Sequence, residues 1–409
     1  MRTPVPRGRL IAAGAILAAL TISPAVPAAA GTAGPAAPKT VPAVVAWGFN
    51  RNGVLGNGTT TSSSTPVHVK LAAGQQFRTL RSDSFSLAVS ASGRVYTWGY
   101  NASGELGDGT TTSRLTPRRV RLPAGVQVKT ARAGAEFALA LTTGGRLLAW
   151  GYNGFGELGT GSTTDRHEPA WVKLPKGVKI TAISAGYDSS LALTSTGRVL
   201  SWGGNLVGEL GDGTGAERHV PGYVSLPAHT RITSLAAGDN TGFAVTSAGR
   251  LLAWGYNVYG ELGDGTTTNR ETPVFVRLPA GVKVTAAAAG VFHALALTRG
   301  HKVLAWGDNT YGQLGTGSTT SHHQPVRTGL PTGTKVTALA AGRTCSLVLT
   351  AGHHILAWGK NGEGQLGNGT TTDQHLPVRV HLPRGFTPAV IGAGWRADDA
   401  MAAGRQASK

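Results

Sequence analysis

The sequence predicts an all-β protein, a seven-bladed β-propeller of four-stranded antiparallel blades, and three observations predict it. One phrase of residues built on Trp-Gly is written seven times, at Trp47, Trp98, Trp150, Trp202, Trp254, Trp306 and Trp358. The steps between them are 51 or 52 residues, the mark of one folding unit duplicated in phase. Each unit reads as four short strands punctuated by Gly and Pro. The two ends of the array are complementary halves of one unit, so a ring can close without leaving an exposed sheet edge.

Taken in order, the chain opens with Arg2, Arg7 and Arg9 before an apolar run from Leu10 to Ile22, then Ala28-Ala29-Ala30. Residues 1–30 therefore read as a signal peptide with a small-residue cleavage site. The run is short for a bilayer span, and Pro24 and Pro27 follow it directly. Residues 31–42, rich in Ala, Pro and Thr, read as a disordered lead-in. The propeller is expected over 43–403 and a C-terminal tail over 404–409.

Within the unit that begins near residue 179, alternation gives strands over 179–185, 190–194 and 198–202. Thr196-Gly197 is the hairpin turn, where Gly supplies a positive φ. A long polar, Gly-rich loop follows. Pro221 is expected at the first position of the fourth strand, 221–226, where it costs no ladder bond. Its counterparts are Pro66, Pro117, Pro169, Pro273, Pro325 and Pro377. At the C-terminus, 388–393 and 398–403 look like first and second strands with no Trp-Gly strand after them. At the N-terminus, 44–47 and 66–71 look like third and fourth strands with none before them. Together they make the seventh blade.

Composition agrees. Sixty Gly and 21 Pro at repeat spacing, with 41% apolar residues, suit a turn-rich β array with a large core. The formal net charge is +18, and +15 once the three leader arginines are removed, which favours acidic partners loosely. The single cysteine, Cys345, lies in strand context, excludes an internal disulfide framework and reads as a buried inert thiol.

The phrase Trp-Gly-Xaa-Asn-Xaa-Xaa-Gly-(Glu/Gln)-Leu-Gly, the Ala-Gly pairs Ala185-Gly186, Ala289-Gly290 and Ala341-Gly342, and the period near 52 resemble the regulator of chromosome condensation repeat family. The resemblance covers roughly 43–403. One copy departs from it, with Arg81-Ser82 where Ala-Gly is expected. The family's eukaryotic archetype implies guanine-nucleotide exchange through an inserted wedge, but copies of near-equal length leave no insertion here. An ultraviolet-sensing plant branch uses several Gly-Trp-Arg motifs, whereas this chain has one, Gly394-Trp395-Arg396. A third branch, secreted bacterial propellers similar to β-lactamase inhibitory protein type II, fits the leader and the uninterrupted blades. That branch implies binding to an extracellular enzyme through aromatic loop residues.

First-strand and third-strand ends leave a blade on the same rim, so the Ala-Gly loops and the Trp-Gly-Xaa-Asn loops lie together. Positions that vary between copies are the ones free to recognise a partner. They supply Phe49, Tyr100, Tyr152, Phe155, Tyr187, Tyr256, Tyr259, Tyr311 and Trp395 as the candidate binding set, since loop aromatics anchor protein interfaces. A weaker set, Arg114, Arg166, Arg218 and Arg270, stands on the same rim three residues before each Pro and could hold an anionic envelope polymer. Nearby Asp165, Glu168, Glu217 and Glu271 are expected to neutralise part of it. On the opposite rim, Arg94, Arg146, Arg198 and Arg250 read as solvated turn residues, with no interleaved aromatics.

No catalytic, metal or cofactor site is expected. His167, His219, His323 and His375 fall on different blades, too far apart for one tetrahedral ion. Glu105, Glu209 and Glu261, each followed three residues on by Asp, resemble acid-base pairs. Gln313 and Gln365 occupy the same position, which points instead to carboxylates accepting backbone N–H bonds in their own turn. The expected protein is therefore a monomeric, secreted, non-enzymatic module that binds an extracellular protein, an inhibitor candidate, with an adhesin for anionic envelope polymer as the alternative.

Overall fold

A computed structural model describes residues 40–72, 74–394 and 398–408; the expected leader, 1–30, lies outside them. Among the described residues, 28 strands form seven four-stranded antiparallel sheets. Six blades are continuous in sequence, spanning 77–119, 128–171, 180–223, 232–275, 284–327 and 336–379. The seventh is ordered Ser63–His68, Thr40–Gly48, Asp399–Ala407, Phe386–Ala393, so both termini build it. The fold class read from the repeat is the fold observed. No helix among the described residues is long and apolar enough to cross a membrane.

The closing pair is longer than its apolar alternation suggests. Thr40, Val41 and Pro42, expected in the lead-in, pair with Ala407, Gln406 and Arg405, expected in the tail. Backbone groups, not side chains, carry that extension, because each strand satisfies the other's ladder. The fourth strands also begin earlier than expected. The third blade's outer strand is Arg218–Tyr223, with Arg218 opposite Gly203 and Gly222 opposite Ser201. Pro221 therefore sits within an irregular stretch of an outermost strand, another place where a missing N–H costs nothing.

Each blade buries both faces against its neighbours. The second strand of every continuous blade, such as Phe85–Ser90 and Ser189–Thr194, is buried at all six positions. Hydrophobic clusters span blade boundaries; one joins Phe243, Leu251 and Leu262 of the fourth blade to Val284, Ala294 and Trp306 of the fifth. The repeated tryptophans are the seams. Each indole N–H donates to a backbone carbonyl in the long loop of the preceding blade: Trp98 to Val54, Trp150 to Glu105, Trp202 to Glu157, Trp254 to Glu209, Trp306 to Glu261, Trp358 to Gln313 and Trp47 to Gln365, at 2.6–2.9 Å. The Trp47 bond closes the ring. Gly211 shows why a Gly follows: at φ 61°, a Cβ there would stand 2.8 Å from the Trp254 indole.

The register also corrects one assignment. Ser82 pairs with Ser86 as Ala133 pairs with Ala138, so Ser82-Asp83, rather than Arg81-Ser82, stands where other copies have Ala-Gly. Arg81 thereby becomes the counterpart of Arg132, one residue deeper in the innermost strand.

Candidate functional site

The candidate site is built from the long loops between third and fourth strands. Each is pinned from inside by its repeated Asn. In the fourth blade Asn257 is fully buried; its Oδ1 accepts the Leu262 N–H at 2.9 Å and its Nδ2 donates to the Thr266 and Thr268 carbonyls at 3.1 and 3.0 Å. Asn101, Asn153, Asn205, Asn309 and Asn361 repeat that pattern. The amide closes the loop onto itself, which explains why no other residue replaces it.

The acidic position has the role expected of it. One carboxylate oxygen accepts a backbone N–H two residues earlier: Glu105 from Ser103, Glu157 from Phe155, Glu209 from Val207 and Glu261 from Tyr259. Gln313 and Gln365 use their amide oxygens in the same way. All four glutamates are buried, and the second oxygens of Glu105, Glu157 and Glu261 have no hydrogen-bond partner among the described residues. Burial, opposed by the backbone bonds, pushes Glu105, Glu209 and Glu261 up to about 7 and Glu157 to about 8.

The loop tips point outward. Phe155 is 42% exposed and Tyr259 43%, with Tyr187 and Tyr311 also exposed. Sequence reading missed two apolar tips in this arc, Leu206 at 90% exposure and Val258 at 50%. Both directly follow the pinning Asn, a position whose side-chain variation was legible but whose aliphatic residues were passed over for aromatics. A third omission is Phe292, from the loop after the fifth blade's inner strand. Its ring lies 5.0 Å from that of Tyr259 and 6.2 Å from that of Tyr256.

Phe292 thus joins the fourth and fifth blades. Tyr259, Phe292, Tyr311, Asp308, Arg343 and Lys360 line a cleft of about 310 Å³ across three blades. The Lys360 ammonium stands 5.6 Å from the Tyr311 ring and 3.3 Å from Asp398 Oδ2. The other candidates are more dispersed. Tyr100, Tyr152 and Tyr256 are half-buried, and the Tyr152 hydroxyl occupies the space a Cβ on Gly154 would need. Phe49 lies 6.0 Å from the Arg51 guanidinium on the seventh blade. Trp395 lies outside the described residues.

The arginines are arranged otherwise than expected. Arg114 pairs with Asp108 at 3.2 Å, Arg270 with Asp264 at 2.7 Å and Arg218 with Asp212, all within their own loops. Burial disfavours the charge on Asp108 and Asp264, yet hydrogen bonds from Thr110 and Thr266 and from the arginines hold both carboxyls below their ordinary value. The expected neutralising glutamates pair elsewhere, Glu168 with Arg121 and Glu217 with His219. Arg166, where Thr160 replaces the aspartate, has no ion pair among the described residues. On the opposite rim the expected lack of aromatics is also corrected. Arg146, Arg198 and Arg250 lie over Trp171, Tyr223 and Phe275, 3.7, 3.5 and 3.2 Å from the ring centroids.

A ring of indole bonds, an Asn pin in every long loop and seven blades closed by both termini define one repeat scaffold, and residues 44–407 match the model of the RCC1-like domain. The chain belongs to the RCC1-like domain family. Among its relatives, the ultraviolet-B receptor UVR8 of Arabidopsis thaliana is 34% identical over 283 residues, which is 69% of this chain and 64% of UVR8. The E3 ubiquitin-protein ligase HERC2 of Homo sapiens is 30% identical over 348 residues, 84% of this chain but 7% of HERC2. The chain thus spans less than two thirds of the length of either. Two solved structures share the fold of this RCC1-like chain. Human WBSCR16 superposes with a TM-score of 0.80 at 24% identity over 89% of this chain and 99% of that one. Yeast RCC1, solved bound to Kap60, gives 0.79 at 20% over 95% and 97%.

Proposed function

We propose that this RCC1-like propeller is a protein-binding module whose contact surface is the arc of loop tips from the second to the fifth blade. One observation supports the reading most: Phe155, Leu206, Val258, Tyr259 and Tyr311 are apolar, exposed and carried on four successive blades, each on a loop already pinned by its own Asn. Such tips gain burial on docking and lose little conformational freedom, the economy expected of a recognition surface. The finer reading follows from the sequence. An N-terminal leader exports the chain, the partner is an extracellular enzyme, and the propeller acts by occluding it rather than by turnover of its own.

The test is capture on the immobilised chain from the producing cell's culture fluid and envelope, at roughly 0.15 M and then 0.5 M salt. A Leu206→Ser, Tyr259→Ala, Tyr311→Ala variant runs in parallel. A discrete protein that is retained at high salt, lost with the variant and slowed in its own assay by the wild-type chain supports the reading. Recovery of acidic polymer alone, released by salt and indifferent to the variant, overturns it in favour of adhesion through arginines. The stacked guanidiniums of Arg146, Arg198 and Arg250 would then be the residues to remove.

A further inference from the structure

The innermost strands of all seven blades line a cavity of about 240 Å³ on the propeller axis. One structurally equivalent position from each blade forms a ring at one level of that wall: Arg81, Arg132, Ser184, Ala236, Ala288, Ala340 and Gly392. The ring is lopsided. Two arginines stand side by side on adjacent blades, and the other five positions are small. The register is tied by Thr79 and Thr130, whose hydroxyls meet at 3.2 Å across the same two strands, each two residues before its arginine and so on the same face.

Among the described residues, no carboxylate lines this cavity. The guanidiniums instead rest on neutral acceptors, Arg81 on the Leu80 carbonyl at 2.6 Å, Arg132 on the Ala131 carbonyl and the Thr130 hydroxyl at 3.0 Å each. Each uses one nitrogen, Nη1, in these bonds, which leaves further N–H donors on the fork. Next round the ring, Ser184 Oγ accepts the Ala237 N–H at 2.9 Å, so its own proton is free to be donated. The remaining wall is largely alanine with Leu235, Leu339, Ser82 and Ser234, which offers the two guanidiniums no counter-charge. Burial lowers Arg81 to about 10, and burial together with the Arg81 charge lowers Arg132 well below its ordinary value.

We infer that the axial cavity is a binding site for a tetrahedral oxyanion of the phosphate class, held by Arg81 and Arg132 with the Ser184 hydroxyl. Two adjacent planar forks match the oxygens of such an ion bidentately, and its charge offsets theirs. The five small positions leave the space it fills. Elsewhere Arg114, Arg218 and Arg270 have aspartates, Arg121 has Glu168, Arg146, Arg198 and Arg250 lie stacked on rings, and Arg78, on the Val128 carbonyl, is exposed, so among the described residues this pair alone combines a shared cavity, neighbouring positive charge and lack of a carboxylate.

The experiment titrates inorganic phosphate into the purified chain at fixed ionic strength, with chloride as the balancing ion, and reads both heat of binding and thermal midpoint. Saturable heat and a midpoint that rises with phosphate over chloride are expected. Arg81→Gln or Arg132→Gln should weaken binding by about ten-fold or more, whereas Arg146→Gln on the opposite rim should leave it unchanged. In chloride alone both channel variants should melt no lower than the wild type, since relieving two like charges compensates for lost contacts; that keeps misfolding separate from lost binding. Equal midpoints in phosphate and chloride with no saturable heat, or a phosphate response that persists when Arg81→Gln and Arg132→Gln are combined, would overturn the site.

Discussion

Two halves of one loop behave oppositely in this protein. In the fourth blade Asn257, Glu261 and Leu262 are buried and face inward, while Val258 and Tyr259 between them are 50% and 43% exposed. Change from holding the blade to facing solvent takes one residue. The inner half serves two neighbours at once, because the Glu209 carbonyl of one loop receives the indole of the next blade. The tip makes no such seam bond, and Tyr259 meets the next blade only through the ring of Phe292, which is why the tip drifts between copies. Position in the repeat therefore separates structural from recognition residues more sharply than residue type does.

The largest break in that comparison should come from the seam. Trp254→Ala removes a fully buried indole and leaves the Glu209 carbonyl unpaired, so a loss of about 3–5 kcal/mol is expected in denaturant unfolding. Trp254→Phe should fall between that value and the wild type. Next is the pin: Asn257→Ala deletes one acceptor and one donor group serving three backbone partners, at a cost of about 2–3 kcal/mol. A destabilisation below about 0.5 kcal/mol in either would show that the inner half does not hold the blade.

A smaller effect should appear in the dependence on pH. The four glutamates are held above their ordinary value, so the folded chain binds more protons than the unfolded one between about pH 4.5 and pH 8. Their contribution is fully present below the unfolded value and is lost as pH rises through the folded one. His293, buried and lowered to about 4, acts in the opposite direction, but only below about pH 6.5. From pH 6.5 to 8 the thermal midpoint should therefore fall, and Glu157→Gln should flatten that fall, as Gln313 and Gln365 already do in their own blades. A midpoint that rises over the same interval would contradict the assignment.

The smallest effect on stability belongs to the tips. Val258→Ser with Tyr259→Ser should change unfolding free energy by no more than about 1 kcal/mol while abolishing capture of the partner. A large stability loss with binding retained would reverse the division between inner half and tip.

Much of this was written in the chain itself. Seven Trp-Gly phrases at nearly constant spacing fixed the number of blades, and the half-units at the two ends required closure. The exchange of Glu for Gln predicted an acceptor in a turn, and the structure shows that acceptor. These inferences are local or periodic, and every copy repeats them. What escaped depends on how loops close and abut in three dimensions, whatever the separation along the chain. Phe292 joins Tyr256 and Tyr259 only because the first loop of one blade abuts the long loop of another. Leu206 and Val258 look like ordinary aliphatics until the Asn beside each turns them outward. Arg114, Arg218 and Arg270 found aspartates in their own loops, while sequence proximity had suggested others. Arg81 stands one residue from where the repeat spacing puts it, and only the strand register sets it beside Arg132 on the axis wall. Sequence determined the repeated unit because strand alternation, turn glycines and the indole seam act within one period. Tertiary structure decided the sites because seven units closing around an axis bring together the positions at which the copies differ.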